Sequence, residues 1–248
     1  MIRIPVIVFA CALLAPHYAH AAETPPPEAC LGLMAGTEMD AERIRTCVFE
    51  REKQWGRDDP RFAALVELAA DHLSRDKDSA AKALTFRRRA YALAQRRSAE
   101  PSPDRARAAM AYAKTWILSG QCTAYDARIT PLIDDAAAGY TVLTEAASER
   151  SVRLREVAAA YADGLHYARA VETLQDATGA TPSADDLERM AEWTLLSGDR
   201  PAAFELFDRA LEVGDPALRV RIVRGLKPIL FAAGEFERLA RIKELYGL

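Results

Sequence analysis

A pattern of apolar residues recurs along the C-terminal half of this chain, and such a repeat constrains a fold more than any single motif does. Apolar side chains at three- and four-residue spacing form one helical face, Gly198 and Asp199 form a turn, and a second helical face follows. The positions of this copy are Leu187, Met190, Ala191 and Thr194, then Ala203, Phe207 and Ala210. The copy 33 residues earlier consists of Leu154, Val157, Ala158 and Tyr161, then Tyr167, Ala170, Leu174, Ala177 and Pro182. The sequence therefore predicts helix pairs that stack one after another.

A weaker copy follows 36 residues later and runs to the end of the sequence, so that residues 147–248 hold three predicted repeats. Its apolar positions are Val223, Leu226, Leu230 and Leu239, with Gly234 and Glu235 at the turn. Lys243 and Tyr246 depart from the pattern of the other copies. Because a repeat array needs a polar unit to end its stack in water, we interpret this copy as a terminal cap.

Two longer and looser helix pairs are predicted upstream, over residues 59–140. Asp59-Pro60 and Ser102-Pro103 each open a helix and stand 43 residues apart. The apolar spacing that follows predicts helices near 62–74, 80–97, 104–119 and 123–138. Another helical hairpin is expected over residues 29–57, where Ala35-Gly36-Thr37 separates two short helical patterns.

These residues resemble the tetratricopeptide repeat, whose paired helices carry small residues where they cross and a large one between neighbouring repeats. The resemblance covers roughly residues 59–248 and is strongest over 151–216, although Leu187 stands where the family often has Trp. The upstream units, with their opening Pro, resemble the kinesin light chain variety. The resemblance implies an all-α fold of antiparallel helix pairs stacked as a short right-handed solenoid. It also implies that the first helix of each pair lines a concave groove that binds segments of partner proteins.

Carried over position by position, the resemblance places ten side chains in this groove, with charge alternating in sign along the stack. They are Glu67 and Asp71, then Arg107, Met110 and Lys114, then Arg155, then Glu188 and Glu192, then Arg221 and Arg224. Such a groove suits an extended protein or peptide segment bearing both charges. The alternative is that these are ordinary solvated helix faces. The sequence contains no Asn, so the Asn-dependent two-carboxylate clamp of chaperone-binding family members cannot form.

Composition agrees with an all-α chain and disfavours nucleic acid as a partner. About a fifth of the residues are Ala, the best helix former. The chain has 33 Lys plus Arg against 36 Asp plus Glu, and a pI near 5.9 lacks the basic excess that phosphate backbones reward. A cluster of arginines at helical spacing is interpreted as a solvated face: Arg87, Arg88, Arg89, Arg96 and Arg97.

The first 22 residues carry the pattern of a secretory signal peptide. Arg3 gives a positive start, residues 6–15 an apolar stretch, and Ala19-His20-Ala21 a small-x-small cleavage pattern. A less favoured alternative is a lipoprotein-type box with Cys11 as the lipidated residue. Residues 23–28 contain three consecutive prolines and are expected to form an extended tether. We therefore expect an exported, most simply periplasmic, protein.

Export would place the thiols of Cys30, Cys47 and Cys122 in an oxidising compartment. Cys30 and Cys47 lie on the two sides of the predicted N-terminal turn, so a disulfide between them would join the two helices of the hairpin. It would contribute about 3 kcal/mol to stability by loop-entropy estimates. The alternative is that all three thiols are small buried apolar groups.

The sequence lacks the residue patterns of the common catalytic and metal sites. Beyond the signal segment only His72 and His166 remain, 94 positions apart, which disfavours a His-based triad or a multi-His metal site. No nucleophile elbow, phosphate-binding Gly-rich loop or Cys-x-x-Cys is present. The acidic pair Asp185-Asp186 follows Ser183 and is interpreted as helix capping. We expect no enzyme activity, cofactor or bound metal.

The resulting hypothesis is an exported scaffold that binds a protein or peptide through its concave groove. One alternative is a structural subunit of a cell-envelope assembly. A large exposed apolar patch would favour this alternative. Another is a non-catalytic helical domain that accompanies an envelope enzyme.

Overall fold

A computed structural model describes residues 30, 32, 34, 40–75, 77–143 and 147–247. The described residues form helices joined by turns, with no strand among them, which confirms the all-α prediction. In that part of the chain the helices are α1 Ala41–Trp55, α2 Pro60–Leu73, α3 Lys77–Arg97, α4 Pro103–Leu118, α5 Thr130–Thr141, α6 Ala147–Asp163, α7 Tyr167–Thr178, α8 Ala184–Leu196, α9 Arg200–Val213, α10 Pro216–Ala232 and α11 Phe236–Tyr246. The predicted signal peptide and tether lie outside the described residues.

The helices fall into two compact units, residues 1–123 and 124–248. In the first unit, each of the helices α1–α4 packs on the next one along the chain. Phe62, Leu65 and Val66 of α2 are fully buried at its centre. Cys30 and Cys47 form a disulfide with their Cα atoms 6.1 Å apart, and Cys30 is buried against α1 and α2. Cys122 is not one of the two cysteines of this disulfide.

The upstream helices begin where the sequence places caps. The Asp59 carboxylate accepts the Arg61 amide at 2.8 Å before α2, and the Ser102 hydroxyl accepts the Arg105 amide at 3.3 Å before α4. Each cap is followed by a proline in the first turn, where no amide hydrogen bond is lost.

The helix predicted over 123–138 begins later, at Thr130. The Asp126 side chain accepts the Arg128 amide at 2.9 Å, and its carbonyl accepts the Ile129 amide at 2.8 Å. This aspartate-centred turn offers the backbone an alternative to the helix, and it ends just before Pro131. The prediction was wrong here because the apolar spacing continues through a segment whose hydrogen bonds close a turn.

In the second unit, each of the helices α5–α11 packs on the next along the chain. The repeated apolar positions form its core: Leu154, Val157, Ala158, Tyr161, Ala170, Leu174, Ala177, Leu187, Met190, Ala191, Ala203, Phe207, Ala210, Val223, Leu226, Leu230 and Leu239 are all buried. These apolar positions lie on α6 and α7, on α8 and α9, and on α10 and α11.

The turns inside these three pairs share one hydrogen bond. The amides of His166, Asp199 and Glu235 each donate to the carbonyl five residues before them, at 2.8, 3.2 and 2.9 Å. The residue before each of these amides has a positive φ: 63° at Leu165, 98° at Gly198 and 75° at Gly234. The same helix end thus recurs at intervals of 33 and 36 residues, in the geometry that favours glycine.

Leu165 is the exception in this series, because a side chain in the left-handed region costs about 1–2 kcal/mol. Its side chain is 59% exposed, so packing returns little of that cost. Leu165→Gly is therefore expected to raise the free energy of unfolding by about 1 kcal/mol, measured by urea denaturation.

The matched control is Gly234→Ala. An added Cβ there meets no atom within 4 Å, so the change tests only the backbone conformation. It should lower stability by about 1 kcal/mol. An unchanged or lower stability of the Leu165→Gly protein would contradict the strained turn.

Candidate functional site

An ion pair with a buried carboxylate joins α6 to α8. Arg155 of α6 donates to both carboxylate oxygens of Asp186 at the start of α8, at 3.1 and 2.9 Å. The Arg155 guanidinium also donates to the Ser151 hydroxyl at 2.6 Å. Asp186 is only 5% exposed, so its charge depends on this bidentate partner.

Asp186 also caps its own helix. The Ser183 hydroxyl accepts the Asp186 amide at 3.2 Å, and the Asp186 carboxylate accepts the Ser183 amide at 3.3 Å. The capping interpretation of this acidic pair is confirmed. The Arg155 hydrogen bonds lower the pKa of Asp186, and Ser183 acts in the same direction against the opposing effect of burial. The carboxylate therefore stays ionised at neutral pH.

A second ion pair links α8 to α10. Arg221 contacts Asp185 at 2.5 Å and also pairs with Glu188. These hydrogen bonds raise the pKa of Arg221. Arg221 and Asp185 are both largely exposed, so this contact contributes little to stability. Three predicted groove residues, Arg155, Glu188 and Arg221, thus pair within the protein itself.

Glu192 and Arg224 remain exposed on the same helices, α8 and α10. Partial burial and the neighbouring Glu188 raise the pKa of Glu192, against the opposing charges of Arg221 and Arg189. Neither residue forms an ion pair within the described part of the chain. Of the predicted groove residues in the second unit, these two are the ones whose charges are most available to a ligand.

The predicted groove residues of the first unit have different surroundings. Asp71 accepts from Arg87 at 2.6 Å, and Arg107 donates to Asp104 at 2.7 Å. Glu67 is half-buried, and burial raises the pKa of its carboxyl. Lys114 is exposed.

Met110 does not line an exposed surface, because only 3% of it is accessible. Helix α4 is rich in alanine, and Ala106, Ala109 and Ala113 are buried beside Met110. Small side chains let a helix approach its neighbours closely, so a wide arc of α4 enters the core. The groove assignment of Met110 is therefore corrected to a core position.

The two histidines sit in structural environments. His166 is half-buried, with its Nε2 2.9 Å from the Thr130 hydroxyl. His72 is buried in the first unit, where 2% of it is exposed. Burial lowers the pKa of His72, with the charge of Arg75 acting in the same direction. Among the described residues, no group of three His, Cys, Asp or Glu side chains is placed to hold a metal ion.

No protein-family model matches this chain, and no curated protein sequence is significantly similar to it. None of the helices in the described ranges has the length and apolar character needed to cross a membrane.

Sequence reasoning missed one surface feature, the side chain of Phe49 on α1. The buried residues of α1 are Ala41, Ile44 and Val48, and Phe49 lies outside that set with half of its surface exposed. An aromatic residue off the apolar face of an amphipathic helix is the signal that could have identified it.

The buried, neutral His72 predicts a dependence of stability on pH. Its folded-state pKa is lowered, so below the ordinary value of about 6.5 the unfolded chain binds more protons than the folded one. This contribution to stability is complete above about pH 6.5 and falls as the pH drops toward the folded-state pKa. Urea unfolding at about pH 7.5 and about pH 5.5 should show the loss on the acid side.

The pH dependence of stability in two histidine variants identifies the residue that titrates. His72→Leu should remove most of the pH dependence in this window, whereas His166→Gln should retain it. An unchanged pH dependence in the His72→Leu protein would show that His72 is not the group that titrates.

Proposed function

We propose that this chain is an exported, tetratricopeptide-type scaffold that binds a segment of a partner protein on the face formed by its first helices. The observation that carries the proposal is the pair of contacts that link α6 to α8 and α8 to α10. Arg155–Asp186 and Arg221–Asp185 join helices that are next but one in the sequence. Such contacts are what a stack of helix pairs requires.

The second helices of the pairs support the same arrangement. Arg169 of α7 contacts Asp134 of α5 at 2.5 Å, and Arg238 of α11 pairs with Asp208 of α9. Alternate helices thus contact one another in four places: α6 with α8, α8 with α10, α5 with α7, and α9 with α11. These contacts, together with a turn of constant geometry, agree with a right-handed solenoid of antiparallel pairs.

The linked helices α6, α8 and α10 offer a partner a surface of mixed charge. Its internal ion pairs hold the helices in register, while Glu192 and Arg224 project from it. An extended peptide carrying both a base and an acid can pair with these two side chains without breaking the internal network. We therefore place the binding face of the second unit on α8 and α10.

The disulfide supports the exported location, because such bonds persist in oxidising compartments and are rare in the cytosol. The periplasm is the compartment we propose, in agreement with the signal-like first 22 residues.

The test is capture from cell-envelope extract by immobilised protein carrying Glu192→Arg and Arg224→Glu, beside the unchanged protein. A partner held on α8 and α10 should be retained by the unchanged protein and lost from the variant, since both contacts become repulsive. Arg155 is left intact in this design, because its substitution would leave Asp186 buried without its partner.

The matched control carries Glu205→Arg and Arg209→Glu, the same charge swap on exposed positions of α9. It should retain the partner as well as the unchanged protein does. Equal retention by all three proteins would reject this face as the binding site, and no retention by any would reject the binding function in envelope extract.

A permanent role in an envelope assembly is the second candidate, and exposed apolar side chains favour it. Leu165, Leu196, Phe231 and Phe236 are each more than half exposed, and all lie at or beside the turns inside the three pairs. A stable complex through this edge would give a single larger species in sedimentation, insensitive to the charge swap on α8 and α10.

A further inference from the structure

The first unit contains a groove between α1 and α3, which we call the α1–α3 groove. It consists of two adjoining clefts of about 730 Å³ and 620 Å³ that share Phe49 and Arg89. Residues 41–49 of α1 line one cleft with residues 82–89 of α3. Residues 49–57 line the other with residues 89–96. The two helices therefore run in the same direction, and the groove follows both of them.

Phe49 stands at the midpoint of this groove. Its side chain is 52% exposed, and the Lys53 ammonium lies over the ring, 4.3 Å from its centroid. The floor below is firm, because Arg89 packs over the ring of Phe62, which is fully buried. A large aromatic surface is thus held open in a concave site, where burial against a ligand stabilises the complex.

The walls of the groove carry more positive than negative charge. The cationic side chains are Arg45, Arg57, Lys82, Arg89 and Arg96, and the carboxylates are Glu42 and Glu52. Glu42 pairs with Arg45 at 2.7 Å, and Glu52 pairs with Arg57 at 2.8 Å and with Arg89. Hydrogen bonds from Arg89 lower the pKa of Glu52, which is therefore engaged as an anion.

The remaining cations lie at the two ends. Lys82 lines the first cleft and Arg96 the second, both on the exposed face of α3. The positions of Phe49, Lys82 and Arg96 define a pattern of an apolar centre flanked by positive charge. The ligand that complements this pattern has an apolar centre flanked by carboxylates.

We propose that the α1–α3 groove binds an acidic amphipathic helix of a partner protein. The 15 residues of α1 give the groove a length of about 22 Å, which a helix of about 14 residues spans. A third helix resting between two parallel helices buries its apolar stripe on Phe49 and places its carboxylates beside Lys82 and Arg96. The site is built from α1 and α3, and it uses none of the residues proposed above for the face of α8 and α10.

The test uses three fluorescein-labelled synthetic helices of 14 residues, read by fluorescence anisotropy with the disulfide intact. The first carries Leu and Phe on one face and Glu on the other. The second replaces each Glu by Lys, and the third replaces the Leu and Phe by Ala. Only the first is expected to bind, because it alone supplies both the apolar centre and the carboxylates.

Variants of the protein then locate the binding. Phe49→Ala should weaken the affinity about tenfold or more, as should Lys82→Glu combined with Arg96→Glu. The matched control, Arg200→Glu with Arg209→Glu on α9, should bind as the unchanged protein does. Phe49, Lys82 and Arg96 are exposed or partly exposed, so circular dichroism should show each variant folded.

The proposal is overturned by any of three results. The acidic helix fails to bind, the Lys-containing helix binds equally well, or the groove variants leave the affinity unchanged. Neither charge swap used to test the face of α8 and α10 changes a residue of this groove, so the two proposals are tested independently.

Discussion

The buried carboxylate of Asp186 is the constraint on which the second unit depends. A charge removed from water must be paired. The partners of Asp186 are Ser183, which lies just before α8, and Arg155 of α6. Ser183 fixes the start of α8, and Arg155 fixes α8 against α6. The two helices can therefore adopt few positions relative to each other without leaving the buried Asp186 carboxylate unpaired.

The charged groups of the second unit therefore fall into two sets, those paired within the protein and those exposed beside them. Arg155 and Arg221 stabilise the stacking of the first helices, so they are poor candidates for contacts that must change when a ligand arrives. Glu192 and Arg224 project from the resulting face and can pair with a partner. In the first unit the ion pair of Glu52 with Arg89 likewise links two helices, α1 and α3, beside the exposed ring of Phe49. In both units the internal pairs link helices, and the proposed binding is assigned to side chains left beside these pairs.

Much of the fold could be predicted from the sequence, because apolar periodicity reports directly which helix faces are buried. The all-α fold, the buried apolar positions after residue 147 and the caps at Asp59 and Ser102 were predicted in this way. The late start of α5 was missed, since the turn at Asp126 depends on local side-chain hydrogen bonds that periodicity does not report. Met110 was misplaced because an alanine-rich helix buries a wider arc than its apolar spacing indicates.

The charged surface was harder to predict for a physical reason. Which acid pairs with which base depends on the register between helices, and register is a property of the packed structure. The sequence identified Arg155 and Glu188 as groove residues without indicating that both are paired internally. The exposed Phe49 was also not predicted, because it lies outside the segment that carries the repeat pattern. Sequence patterns therefore located the helices better than they located the surfaces that those helices present.

The most direct test of this account is a double-mutant cycle on Arg155 and Asp186, with unfolding by urea as the readout. The proteins are Arg155→Met, Asp186→Asn and the variant carrying both changes. If this pair joins α6 to α8, the two single changes should couple by about 2 kcal/mol, with the double variant more stable than the sum predicts. A coupling energy near zero would mean that the two side chains do not meet, and the stack of first helices proposed for this protein would be wrong.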